Sequence, residues 1–134
     1  MKIDDIAKIE QNCFSNPWTQ EILESELNSP LSVFAYAEFG NRAAAFALGR
    51  VAADEGEVFR IGTLPEFRRK GLAEKLLAEL LQKMKNKGAA VCFLEVRSRN
   101  VPARELYRKT GFEDVYIRKN YYPDDDAVVM RKEL

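Results

Sequence analysis

The sequence has 134 residues, with 21 lysines and arginines against 21 acidic residues. That length suits one domain, spanning 1–134, around one core, and a hydrophobic content of 46% excludes wholesale disorder. A formal net charge of zero argues against a general nucleic-acid binder, and the absence of histidine excludes Ser-His-Asp, Cys-His and histidine-base chemistry.

Ile3, Ile6, Ala7 and Ile9 predict a short helix over about residues 4–13. Asn16-Pro17-Trp18-Thr19 reads as a turn and cap, and a second helix then runs to about Leu27. A strand over 32–38, a turn at Phe39-Gly40-Asn41-Arg42 and a return strand over 43–51 follow. Asp54-Glu55-Gly56 reads as the next turn and 58–63 as a third strand, completing an antiparallel meander. From Gly71 onward, Leu72, Ala73, Leu76, Leu77, Leu80, Leu81 and Met84 recur at helical spacing, with Gly88 as the C-terminal stop. The apolar run 89–96 reads as a strand buried on both faces, so strand, helix and strand form a βαβ unit. Asn100 is the N-cap of a short helix closed by Gly111. Two last strands, over 112–119 and 127–132, flank a loop from Asn120 to Asp126. The expected class is α/β: a mixed sheet with helices on both faces.

Four stretches can carry chemistry. The first is the basic turn Arg68-Arg69-Lys70-Gly71-Leu72-Ala73 at the start of the long helix. Free N–H groups in a helix's first turn bind anions, and small residues let a phosphate approach the backbone. The plain alternative is a solvated basic turn. Walker and dinucleotide fingerprints are absent. The second is Glu95, a carboxylate interrupting an apolar run where strand ends bind ligands in open sheets. Its alternative is a structural pair with an arginine. The third is Tyr107, either core or catalyst. The fourth is Tyr121-Tyr122-Pro123 followed by three aspartates, which form either a rim that attracts a cationic peptide or a solvated turn. Cys13 and Cys92 lack metal-ligand spacing, so no metal is expected, and the simplest compartment is a reducing cytoplasm. No stretch suits a membrane span or a signal peptide.

Occurring together and in this order, these stretches resemble the GNAT superfamily of acetyltransferases. The turn matches its Arg/Gln-x-x-Gly-x-Gly/Ala motif as Arg68-x-x-Gly71-x-Ala73. Within it, Asn16-Pro17-Trp18, Leu94-Glu95-Val96-Arg97, Asn100, Leu106-Tyr107, Gly111-Phe112 and Asn120-Tyr121-Tyr122-Pro123 are similar to the RimI-type ribosomal-protein-alanine N-acetyltransferases. The resemblance implies acetyl-CoA as co-substrate. Its pantetheine would lie along Ile61, Gly62 and Thr63. Its diphosphate would be wrapped by Arg69, Lys70, Gly71, Leu72, Ala73 and Glu74, with Asn100 further along. Glu95 would be the general base, Tyr107 the general acid, and an N–H of Thr63 or Leu64 an oxyanion donor. Tyr121 and Tyr122 would meet the acceptor. That acceptor would be the N-terminal alanine of a protein, in the family that of the small-subunit ribosomal protein bS18, attacked directly in a ternary complex. No nucleic-acid or membrane partner is implied, and a monomer or weak dimer is expected. A small amine, a lysine side chain or a non-catalytic acetyl-CoA module are the alternatives. The superfamily's first strand is expected to be missing, leaving an edge exposed or available to another chain.

Overall fold

The computed structural model describes residues 2–134. Helices α1 (Ile3–Cys13) and α2 (Gln20–Asn28) precede three strands, β1 (Ser32–Phe39), β2 (Arg42–Ala52) and β3 (Glu55–Thr63). A 3-10 turn, Pro65–Phe67, leads to helix α3 (Leu72–Asn86) and strand β4 (Val91–Arg97). Helix α4 (Val101–Thr110) and strands β5 (Glu113–Tyr122) and β6 (Asp125–Glu133) complete the fold. The six strands form one sheet in the order β1-β2-β3-β4-β6-β5, antiparallel except between β3 and β4.

Each face is covered by what its side chains allow. Leu76, Leu77, Leu80, Leu81 and Met84 of α3 pack on Val33, Ala45, Ala47, Cys92, Leu94 and Met130. On the other face Ile6 and Ile9 of α1 and Leu23 of α2 pack on Ala44, Phe46 and Leu48. No helix lies over that face beyond β3, so β4 buries Cys92, Leu94 and Val96 while Glu95 is exposed. The expectation of a strand buried on both faces is therefore corrected to one face.

Two expected turns also move. The β2–β3 turn is Ala53-Asp54, with Ala53 at φ 55°, and Glu55 and Gly56 belong to β3. Gly56 is in the strand because the Met84 sulfur sits only 2.7 Å from where a Cβ would stand. At the other end, Tyr121, Tyr122, Asp125 and Asp126 are strand residues, and the turn between β5 and β6 is confined to Pro123-Asp124.

The sheet's outer strand β1 is partly covered by the protein itself. Leu31 accepts a bond from the Val51 N–H of β2, so strand alternation turns the carbonyls of Ser32 and Phe34 outward. Lys83 and Lys87 of α3 donate to those carbonyls, at 2.7 Å to Phe34 and 2.9 Å to Ser32.

The feature that positions the site is the separation of β3 from β4. Their parallel pairing covers only Glu55–Glu57 against Val91–Phe93. Directly beyond it, β3 carries an extra residue, Phe59, between the pairs Gly49↔Val58 and Leu48↔Arg60. Such a bulge bends its strand away from a neighbour. From there to their carboxyl ends the two strands leave a gap in the middle of the sheet.

Candidate active site

Three adjoining cavities of about 360, 570 and 430 Å³ form one groove along this gap. The outermost is lined by Arg68, Arg69, Gly71, Leu72, Ala73 and Glu74. The middle one lies between Ile61, Gly62 and Thr63 on one side and Asn100, Ala103 and Tyr107 on the other. The innermost ends on Glu95, Tyr107 and Tyr122.

The backbone at the outer end has a geometry that suits an anion. Arg69 and Gly71 both adopt left-handed conformations, with φ 63° and 76°. No side chain caps α3, so the N–H groups of its first turn stay available. A Cβ on Gly71 would meet nothing within 4 Å, which leaves space above the turn. Arg68 is held by its Nε donating to the Thr63 carbonyl at 3.1 Å. Lys70 instead turns its amine over the Phe39 ring, 5.0 Å from the centroid, and does not line the groove. Glu74 is tied to Lys109 of α4 at 3.2 Å, bracing the groove's two walls.

Along the middle, Leu64 donates its N–H to Ala44 at 2.9 Å. This corrects the expectation that Leu64 could serve as an oxyanion donor. Alternation then turns the backbone groups of Gly62 towards β2 and those of Ile61 and Thr63 towards the gap. The Thr63 carbonyl on that side also accepts from the Cys13 thiol at 3.2 Å. Opposite, Asn100 caps α4, its Oδ1 accepting the Ala103 N–H at 3.3 Å. Gly111, at φ 109°, ends the helix. Tyr107 is thereby presented on α4 with its ring edge-on to Phe112, centroids 6.0 Å apart. Burial pushes its hydroxyl up to about 12, and it makes no hydrogen bond to another described residue. It is both core and cavity wall.

At the inner end Glu95 projects from the uncovered face of β4. Its Oε1 lies 3.0 Å from Arg118 Nε on β5, so the pair with an arginine is formed, and the residue also lines the inner cavity. Tyr122 lines the same cavity, and burial, with the Glu95 carboxylate nearby, raises its hydroxyl's pKa. Tyr121 does not line it; its ring packs edge-on against Tyr122 at 5.1 Å. The three aspartates are spent on the hairpin: Asp124 pairs with Arg97 at 2.7 Å, Asp125 accepts the Arg99 N–H and Asp126 the Asn120 N–H.

Sequence reasoning missed Arg60, Glu10 and Arg118. Arg60 of β3 lies between Phe14 and Trp18, 4.3 and 4.6 Å from their centroids, and pairs with fully buried Glu10 at 3.1 Å. Glu10 also accepts the Trp18 N–H at 3.0 Å, fixing the α1–α2 loop as one wall of the inner cavity. The available signal was a carboxylate beside Ile6 and Ile9 on the apolar face of α1.

With this geometry in place, comparison with known proteins decides the family. The model of the acetyltransferase (GNAT) family matches residues 3–112. The chain belongs to the GNAT family. Among relatives, it is similar to the [ribosomal protein bS18]-alanine N-acetyltransferase of Escherichia coli, 36% identical over 126 residues that cover 91% of this chain and 84% of that protein. The enzyme of that name from Haemophilus influenzae is 37% identical over 130 residues, covering 93% and 88%. The crystal structure of the ribosomal-protein-S18-alanine N-acetyltransferase from Escherichia coli superposes with a TM-score of 0.91 at 32% identity, covering 98% of this chain and 86% of that one. Among the described residues no metal-binding cluster occurs, and no helix is long and apolar enough to cross a membrane.

Proposed function

We propose that this GNAT chain is a single catalytic domain that transfers the acetyl group of acetyl-CoA to the N-terminal alanine of ribosomal protein bS18, in the cytoplasm. The observation that carries the reading is the continuous groove from the uncapped start of α3 to Glu95 and Tyr107. The fit to acetyl-CoA is chemical. An uncapped helix start beside Arg68 and Arg69 suits a diphosphate, and strand backbone freed from β4 suits the amides of pantetheine.

Bound there, acetyl-CoA supplies the acetyl thioester. An α-amine has a pKa near 8, so about a tenth is neutral at pH 7. Glu95, directly or through a water, takes the amine's proton as the C–N bond forms. Tyr107 donates to the sulfur as the C–S bond breaks. Since a thiol's pKa is near 8.5, full transfer from a hydroxyl at about 12 is uphill, so its hydrogen bond to the departing sulfur matters most. Thr63 offers its N–H to the carbonyl oxygen from the other wall. Tyr122 and the Phe14–Trp18 side of the cavity hold the peptide's first residues.

Gly71→Glu is expected to weaken CoA binding about tenfold, because the side chain is strained at φ 76° and its charge opposes the diphosphate. Calorimetry showing unchanged affinity would remove the turn from the site. The acceptor is tested by mass spectrometry of alanine-, serine- and lysine-bearing peptides competing for acetyl-CoA. Alanine peptides should react fastest at the α-amine. Faster reaction of lysine side chains or free polyamines would sink the N-terminal assignment.

A further inference from the structure

Arg118 Nε forms an ion pair with Oε1 of Glu95 at 3.0 Å. The pair is formed across a strand. Glu95 faces Val129 of β6, and Arg118 faces Ala127 two places along, so its side chain crosses β6 to reach the carboxylate. Ala127 is small and wholly buried, which leaves the sheet surface clear beneath that crossing. The rings of Tyr116 and Tyr121 lie 5.3 and 5.8 Å from the guanidinium carbon. A reach of this kind is not explained by stability, because the side chains are 45% and 32% exposed, and exposed pairs contribute little. Nor is it explained by charge neutrality at the surface, since Lys119 on the same strand makes no ion pair among the described residues.

A carboxylate on a flexible side chain has two equivalent oxygens and several rotamers. Glu57, whose pKa is raised by burial and by the charges of Glu95 and Glu55 despite Arg50, lies close enough to repel Glu95. Arg118, beyond β6, attracts the carboxylate while Glu57, on β3, repels it, so the two charges together narrow the positions that Glu95 can take. The ion pair with Arg118 restricts the rotamers of Glu95 while the residue still lines the cavity that holds Tyr107 and Tyr122. This is the arrangement in which a base is oriented by a third group.

We propose that Arg118 is a positioning residue that orients Glu95 for proton transfer. The proposal rests on Glu95 being the proton acceptor. The test uses the full chain, acetyl-CoA and an N-terminal alanine peptide. Arg118→Met is expected to lower kcat about 10–100-fold, with the KM for acetyl-CoA unchanged. Arg118→Lys keeps the charge but loses the fixed fork, so it should recover only part of that loss. In Arg118→Ala, millimolar methylguanidine is expected to restore turnover several-fold and to do nothing for Glu95→Gln. If Glu95→Gln abolishes turnover while Arg118→Met stays within twofold of the parent, the orienting role is overturned. A loss in Arg118→Ala that methylguanidine leaves untouched overturns it equally, since the loss is then one of structure. Undiminished turnover in Glu95→Gln removes the proton-acceptor reading and the Arg118 proposal with it.

Discussion

Glu95→Gln and Tyr107→Phe are each expected to cut turnover by about two orders of magnitude or more, with the affinity for CoA unchanged. Both side chains stand at the inner end of the groove, while the basic turn proposed to hold the diphosphate is at its outer end, so the two variants leave that turn untouched. The Gln variant keeps the size of Glu95 and an oxygen for Arg118, but it cannot take a proton at neutral pH. The Phe variant keeps the packing against Phe112 and removes only the hydroxyl. Because burial holds that hydroxyl up to about 12, Tyr107 stays protonated throughout the working range. The rate of the parent enzyme should therefore show no fall below about pH 10 that disappears in Tyr107→Phe. Single-turnover rates and calorimetry check the two parts. Wild-type rates in both variants would take these groups out of the mechanism.

Glu10→Ala is expected to cost about 3–5 kcal/mol, because it strands Arg60 in a largely buried position. That corresponds to roughly 10–20 °C in melting temperature for a domain of this size. The pair itself is no source of net stability. Burial pushes the Glu10 carboxyl up and the Arg60 guanidinium down, more than their mutual attraction offsets. Glu10 Oε2 and Arg60 Nε are also buried without partners. Because the folded state holds the Glu10 proton more tightly than the unfolded chain does, its contribution falls as pH rises through the raised value. The double variant Glu10→Leu, Arg60→Met should then recover most of the stability lost in Glu10→Ala. Thermal melts showing a loss below about 1 kcal/mol for Glu10→Ala would contradict the buried-pair argument. A double variant that melts like the parent but acetylates poorly would assign the pair to shaping the loop of Phe14 and Trp18.

How much of this was legible in the sequence follows from the range of the interactions involved. Helices α3 and α4 were readable because periodicity, Gly71, Asn100 and Gly111 all act within a few residues. The basic turn was readable for the same reason. The ends of β3, β5 and β6 were not, because glycine and aspartate suggested turns at Gly56 and Asp126. Gly56 instead yields space to Met84 of a distant helix, and Asp126 caps Asn120 within the hairpin. The one-sided burial of β4 depends on α1 and α2 stopping at β3, which no pattern within β4 reveals. The partners of Glu95 and Glu10 lie far off in the chain: sheet order brings Arg118 to Glu95, and the packing of α1 on the sheet brings Glu10 to Arg60. Leu64 was misassigned because its N–H is committed by the β2–β3 register.

The lysine bonds to the outward carbonyls of β1 bear on solubility. A bare edge strand recruits other strands, and amyloid-like stacking begins from such edges. Here Lys83 and Lys87 place two charges where an incoming strand would need to bond, so adding a strand means expelling both amines from carbonyls they already satisfy. At the opposite edge the register shifts twice along β5, which spoils it as a template. One helix thus bears on both ends of the sheet: its first turn carries no side-chain cap, and its last turns occupy edge carbonyls that an added strand would need.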